Sequence, residues 1–178
     1  IKKAAENTFV PITVGGGIRS LEDVRNILNS GADKICINTA AIKNPKIITD
    51  LSKKFGSQCV VVSIEAKKIF NNNWEVYTHN GRERTGLEVL TWVKKSIKMG
   101  AGEILLTSID KEGTGKGFDL DLISKVSKAC SVPLIVSGGF GELSHMQELL
   151  KKTHVDGIAV AKVLHYNKYK IKNIKKKL

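Results

Sequence analysis

The sequence predicts an α/β protein in which short parallel strands are joined by crossover helices. Three observations carry that expectation. Apolar, β-branched runs alternate with amphipathic segments along the 178 residues, the rhythm of strand-helix-strand units. Capping signals fall where the helices should begin: Ser20 with Asp23 three residues on, Asn44 before Pro45, and Thr85 before Gly86-Leu87-Glu88. The third is an internal repeat. VPITVGGGIRSLEDVRNILNSGADKICINTAAI from Val10 aligns with VPLIVSGGFGELSHMQELLKKTHVDGIAVAKVL from Val132. The alignment sets Gly16-Gly17 on Gly138-Gly139, Leu21 on Leu143 and, after a one-residue slip, Ala32-Asp33 on Val155-Asp156.

The elements follow in order. A strand is expected over Phe9–Val14, because its apolar run opens into three glycines, and a helix over Ser20–Ser30, where the apolar positions recur at helical spacing. Lys34–Asn38 is the next strand, ending in the small-residue turn Asn38-Thr39-Ala40-Ala41, and Pro45–Lys54 the next helix. Cys59–Ile64 is a third strand, after which KKIFNNNWEVYT, Lys67–Thr78, reads as an inserted hairpin: strand formers flank an asparagine-rich centre. Then come a helix over Leu87–Met99, a strand over Glu103–Ser108, a helix over Asp119–Ala129, a strand over Leu134–Ser137 and a helix over Leu143–Lys152. A strand over Gly157–Ala161 and a helix over Lys168–Lys177, with Tyr169, Ile171, Ile174 and Leu178 as its apolar stripe, complete the set. That makes six strands, and the opening IKKAAENTF, without an initiator Met or a signal pattern, reads as the tail of a helix and an internal start.

Composition narrows the classes. With 42% hydrophobic residues the chain can bury a sizeable core, and no apolar run reaches the roughly 18 residues of a spanning helix. The net charge of +12 raises a nucleic-acid-binding module as a distant alternative. The lysines are scattered over helix faces without aromatic interleaving, so solvated faces are the expectation, with no nucleic-acid and no membrane partner. Cys36, Cys59 and Cys130 lie in or beside apolar runs without metal-ligand spacing, which predicts buried reduced thiols in a cytoplasmic protein and no metal site.

The repeat points to chemistry. In each copy a strand ends in glycines, and the following helix and strand lead to a second small-residue turn, NTAA from Asn38 and VAKV from Val160. Glycine amides at such turns make an anion cradle, and two cradles suit a ligand with two phosphates. Strand C-terminal ends in barrels of this rhythm face the active site, and several here end in polar residues: Asn38 and Thr39, Glu65, Thr107, Ser108 and Asp110, Ser137. Glu65, Asp110 and Glu112 are candidate acid/base carboxylates, since a carboxyl group directly after an apolar strand is costly unless solvated, paired or used.

The blocks VPITVGGGIRSLEDV, GADKICINTAA, FGSQCVVVSIEAKK, WEVYTHNGRERTGL, GAGEILLTSIDKEGTGKGFDLDLI and VPLIVSGGFGEL together resemble the cyclase subunit of imidazole glycerol phosphate synthase, of the histidine biosynthesis barrel family. The resemblance runs over essentially the whole chain. It implies a (β/α)8 TIM barrel, here about six of eight β/α units in a single partial domain spanning 1–178 with the first two strands missing and two open strand edges. It also implies a lyase that adds ammonia from a glutaminase partner, in a heterodimer, to a bis-phosphorylated ribulosyl-formimino ribonucleotide, cleaving the chain and closing an imidazole ring, with no cofactor. The family pattern assigns one phosphate to Gly17, Asn38 and Thr39, beside Gly16, and the other to Gly113, Gly139, Ala161 and Lys162, beside Gly138. Thr107 and Ser137 would contact substrate between them, and Lys34 and Glu103 would stand at the opposite end, where ammonia enters.

Three positions depart from that pattern: Glu65 and Glu112 stand where the family has aspartate, and Lys162 where it usually has serine. A second family aspartate belongs to a strand with no counterpart in these residues, so the 178 residues alone are expected to be inactive. A changed carboxylate is also a route to changed chemistry on one barrel, which leaves a paralogous ammonia-using barrel in surface-polysaccharide amino-sugar synthesis as the alternative.

Overall fold

In the computed structural model, which describes residues 1–176, six parallel strands form a curled sheet with helices between them, the architecture of a partial (β/α)8 barrel. The strands are β1 (Thr13–Gly15), β2 (Lys34–Ile37), β3 (Val60–Lys68), β6 (Glu103–Ser108), β7 (Leu134–Ser137) and β8 (Gly157–Ile158), paired in that order. The remaining two, β4 (Trp74–Thr78) and β5 (Glu83–Glu88), are antiparallel: the extended end of β3 and β4 form the hairpin expected over Lys67–Thr78, its turn at the asparagines, and β5, not expected from the sequence, adds a further strand beside β4. The helices are α1 (Lys2–Ala5), α2 (Leu21–Asn29), α3 (Thr39–Lys43), α4 (Lys46–Phe55), α5 (Val89–Lys98), α6 (Leu120–Ala129), α7 (Leu143–Lys152), α8 (Lys162–His165) and α9 (Ile171–Lys175).

Period-two alternation decides what faces the site. Ile35, Ile37, Val62, Ile64, Ile104, Leu106, Leu134 and Val136 are all buried beneath the helices, where each contributes roughly 1.5–3 kcal/mol of apolar burial. Their neighbours Lys34, Cys36, Ser63, Glu65, Thr107 and Ser137 share the other face and are half-buried. Glu65, Thr107 and Ser137 therefore lie on the concave side, whereas Ser108, one residue on from Thr107, is buried on the helix side, where its hydroxyl donates to Asp119 Oδ2 (3.2 Å).

The repeat is structural. In the first copy Asp33 donates its backbone N–H to the Ile12 carbonyl (2.9 Å) while Asp33 Oδ2 accepts from Ile12 N (2.7 Å). In the second, Asp156 does the same with Leu134, at 2.9 and 2.8 Å. The aligned glycines match as well, with φ of +96° and +71° at Gly16 and Gly17 against +98° and +101° at Gly138 and Gly139.

Several expected boundaries move. Phe9–Pro11 stays outside β1, with Phe9 98% exposed, because only from Thr13 does the chain have β2 to pair with. β8 stops at Ile158, three residues short, and β3 runs on to Lys68 because the hairpin supplies a partner from Glu65 onward. The Leu87–Met99 helix starts at Val89, since Leu87 and Glu88 belong to β5; the cap is Glu88, accepting from the N–H groups of Leu90 and Thr91, and not Thr85, whose hydroxyl donates to the Val76 carbonyl. Ser20 and Asp23 form the expected capping box, whereas α4 has Pro45 at its cap position and no side-chain cap, so Asn44 does not serve. The small-residue turns after β2 and β8 are short helices, α3 and α8. The C-terminal helix covers Ile171–Lys175; of its expected stripe Ile174 is buried, Ile171 is exposed, and the end at Lys177 and Leu178 lies outside the described residues. All three cysteines are free and half-buried, less enclosed than expected, because Cys36 faces the concave side and Cys59 and Cys130 sit at strand-helix junctions.

Candidate active site

Both glycine turns line concavities at the C-terminal ends of the parallel strands. The first, about 400 Å³, is lined by Gly15, Gly16, Gly17, Cys36, Asn38, Thr39, Ser63, Glu65, His79 and Asn80. The second, about 110 Å³, is lined by Glu112, Gly113, Gly115, Ser137, Gly138, Gly139, Ala161 and Lys162. Between them the sheet register sets Glu65 of β3 beside Thr107 of β6, and Thr107 beside Ser137 of β7. Parallel partners in register project to the same face, so three polar side chains form one row from the first concavity to the second.

The glycines of the two turns serve different ends. A Cβ on Gly16 or Gly17 would meet nothing within 4 Å, so these residues answer to their positive φ and leave open space over the backbone. A Cβ on Gly138 would stand 2.8 Å from the Ser108 carbonyl oxygen, and one on Gly139 2.0 Å from that of Gly117. The second turn is thus packed against the loop after β6, which Gly117 N also ties to the Gly139 carbonyl (2.8 Å).

Glu65 is the best-held carboxylate of the site. Its Oε2 accepts from Asn38 Nδ2 (3.0 Å) and from the Gly81 N–H (2.9 Å), leaving Oε1 without a hydrogen bond among the described residues. Asn38 Nδ2 also donates to the Tyr77 carbonyl (3.1 Å), and the His79 N–H donates to Thr39 Oγ1 (3.3 Å). The turn between β4 and β5 is therefore latched onto the ends of β2 and β3 and forms a wall of the first concavity. Asn38 Oδ1 is buried without a partner among the described residues, an acceptor open to a ligand donor. Burial pushes the Cys36 thiol up to about 11, so it is neutral at pH 7 and suits a dry wall more than a nucleophile.

The other carboxylates separate. Glu112 belongs to the second concavity, where Ser137 Oγ approaches its Oε2 at 3.5 Å. Asp110 lines neither: its Oδ2 accepts the Lys68 N–H (2.8 Å), fastening the loop after β6 to the hairpin. Lys162 Nζ donates to the Gly113 carbonyl (2.7 Å), closing the second turn over that loop. At the opposite end of the strands Lys34 Nζ and Glu103 Oε2 are 2.6 Å apart, the Glu103 side chain only 9% exposed. A charge so enclosed is retained only when paired. Among the described residues no cluster of ligating side chains fits a metal ion, and no helix is long and apolar enough to cross a membrane.

His79, Asn80, Cys36 and Ser63 were not singled out in the sequence. Ser63 and Cys36 carry a signal, being the residues two before Glu65 and two before Asn38 on their strands. His79 and Asn80 carry none, since their place depends on how the hairpin folds back.

Residues 1–170 match the family model described as histidine biosynthesis protein. The chain is 48% identical over 176 residues to the imidazole glycerol phosphate synthase subunit HisF of Streptococcus mutans, covering 99% of this chain and 70% of that protein. It is 61% identical over 143 residues to the subunit of the same name from Legionella pneumophila, covering 80% of this chain and 68% of that protein.

Proposed function

We propose a cyclase function from a settled premise: the chain belongs to the histidine biosynthesis protein family. It is a lyase of the imidazole glycerol phosphate synthase type, which takes a bis-phosphorylated ribulosyl-formimino ribonucleotide and ammonia to imidazole glycerol phosphate and aminoimidazole carboxamide ribonucleotide. The observation that carries this reading is the row Glu65, Thr107, Ser137 running between the two glycine turns. A substrate with a phosphate at each end lies along such a row with its reacting centre at the carboxylate.

In this reading the Gly16 and Gly17 backbone takes one phosphate, and Gly113, Gly139 and Ala161 with Lys162 take the other. Asn38 acts by holding the wall of the first site, its Nδ2 donors being committed to Glu65 and the Tyr77 carbonyl, whereas Thr39 Oγ1 accepts the His79 N–H and keeps its hydroxyl proton for the phosphate. Glu65 exchanges protons through Oε1, the oxygen free of hydrogen bonds among the described residues, while Oε2 is held in place. Glu112 is the second carboxylate, at the far end of the row. Ammonia from a glutaminase partner enters at the foot of the sheet beside the Lys34–Glu103 pair and travels up the concave face.

The test is ammonium-dependent turnover of the ribonucleotide by the full-length protein, as wild type and as Glu65→Asp. Turnover by wild type is the expected result. Binding without turnover in wild type, combined with turnover in Glu65→Asp, would overturn the proposal and point to chemistry that has left histidine synthesis.

A further inference from the structure

We propose that His79 is the anion-binding side chain of the first glycine turn, its protonated imidazole supplying the positive charge that a phosphate group there requires. The proposal rests on reading that turn as a phosphate site. None of the residues lining the first concavity is a lysine or arginine, and Glu65 adds a negative charge to it. A phosphate brought in against that carboxylate is repelled unless a cation accompanies it. His79 is the one lining side chain able to carry positive charge.

Its geometry suits the task. His79 Nδ1 lies 3.0 Å from Glu83 Oε2 and 3.1 Å from Thr78 Oγ1, so one nitrogen of the ring is held from behind. Nε2 has no hydrogen-bond partner among the described residues. The backbone is fixed as well, by the N–H donated to Thr39 Oγ1 and by left-handed φ of 53° and 58° at His79 and Asn80. With Nδ1 engaged by a carboxylate, the protonated ring presents Nε2–H as a charged donor. The charged groups around the ring are Glu83 on β5, Glu65 on β3 and Arg82 in the turn itself; α3 contributes only the neutral Thr39.

The two ends of the ligand would then meet different cations. Lys162 supplies an ammonium group in the second concavity and His79 an imidazole in the first. Anion binding at Gly16 and Gly17 should weaken as pH rises through the imidazole range, even though phosphate itself gains charge over that interval.

The experiment follows backbone amide resonances of the full-length protein during titration with inorganic phosphate, at about pH 6 and about pH 8, either side of the free imidazole value. Gly16 and Gly17 report the first turn; Gly138 and Gly139 report the second and confirm that each variant is folded. His79→Gln is expected to weaken the Gly16/Gly17 response about tenfold at the lower pH, the loss of one charge-assisted hydrogen bond. His79→Lys is expected to bind at both pH values, and more tightly at the higher. An unchanged response in His79→Gln, or a failure of His79→Lys to restore it, would overturn the proposal. Silence of Gly16 and Gly17 in wild type would overturn it together with the first phosphate site, while phosphate binding without ribonucleotide turnover would overturn only the cyclase reading.

Discussion

Asn38 and Glu65 meet where β2 and β3 end: the Asn38 amide donates to Glu65 Oε2 over 3.0 Å, and the same oxygen accepts the Gly81 N–H over 2.9 Å. One carboxylate oxygen is thereby spent on position. The other oxygen, Oε1, has no hydrogen bond among the described residues.

Removing that tether should cost rate more than affinity. Asn38→Ala removes one of the two hydrogen bonds that hold Oε2, leaving only the Gly81 N–H, and misplacement by about an ångström is worth up to about 100-fold in rate. The expected outcome in steady-state kinetics is a fall in kcat of about 10- to 100-fold with KM changed less than about threefold. A rise in KM alone would show that Asn38 acts on binding.

The two glycine turns should respond unequally to alanine. Gly16→Ala meets no atom and carries only the cost of a left-handed alanine, about 1–2 kcal/mol. Gly139→Ala puts a Cβ 2.0 Å from the Gly117 carbonyl oxygen and must push the loop after β6 away. Urea denaturation should show the second variant destabilised by at least about 2 kcal/mol more than the first.

The repeated aspartates should be equivalent in stability. Asp33→Ala and Asp156→Ala each remove one carboxylate bond to a backbone N–H, to Ile12 and to Leu134. About 1 kcal/mol is expected from each, and the losses should add in the double variant because the two sites lie at opposite edges of the sheet.

The hairpin should be acid-sensitive. Arg84 hydrogen-bonds the Glu75 carboxylate, at 2.8 Å from Nη2, and holds its pKa below the ordinary glutamate value. A carboxylate depressed in the folded state adds stability that is present above the unfolded value and lost as pH falls through the folded one. The Tm gap between wild type and Glu75→Gln should therefore be full at neutral pH and close below about pH 4. A gap that persists to lower pH would assign the effect of Glu75 to packing.

Legibility followed the range of the interactions. Lys34 and Glu103 were placed at the foot of the strands by the family resemblance, and each does open its strand, but that they form an ion pair came only from the structure. Asp110 and Glu112 looked alike in sequence, two residues apart on one loop, yet one is spent on the Lys68 backbone and the other faces the second turn. No local pattern separates them, because the hairpin that claims Asp110 lies more than 40 residues away.

The sequence by itself determined the alternation of strands and helices, the duplicated strand-helix-strand unit, and the polar strand ends that share one face. Those follow from residue spacing and backbone preference within a few residues. Only the tertiary structure decided that the β4–β5 turn lines the first concavity, that one oxygen of Glu65 is hydrogen-bonded while the other has no bond among the described residues, and that His79 lines the same concavity. Each of these depends on a hydrogen bond between segments distant in the chain, formed only once the hairpin has docked on the sheet.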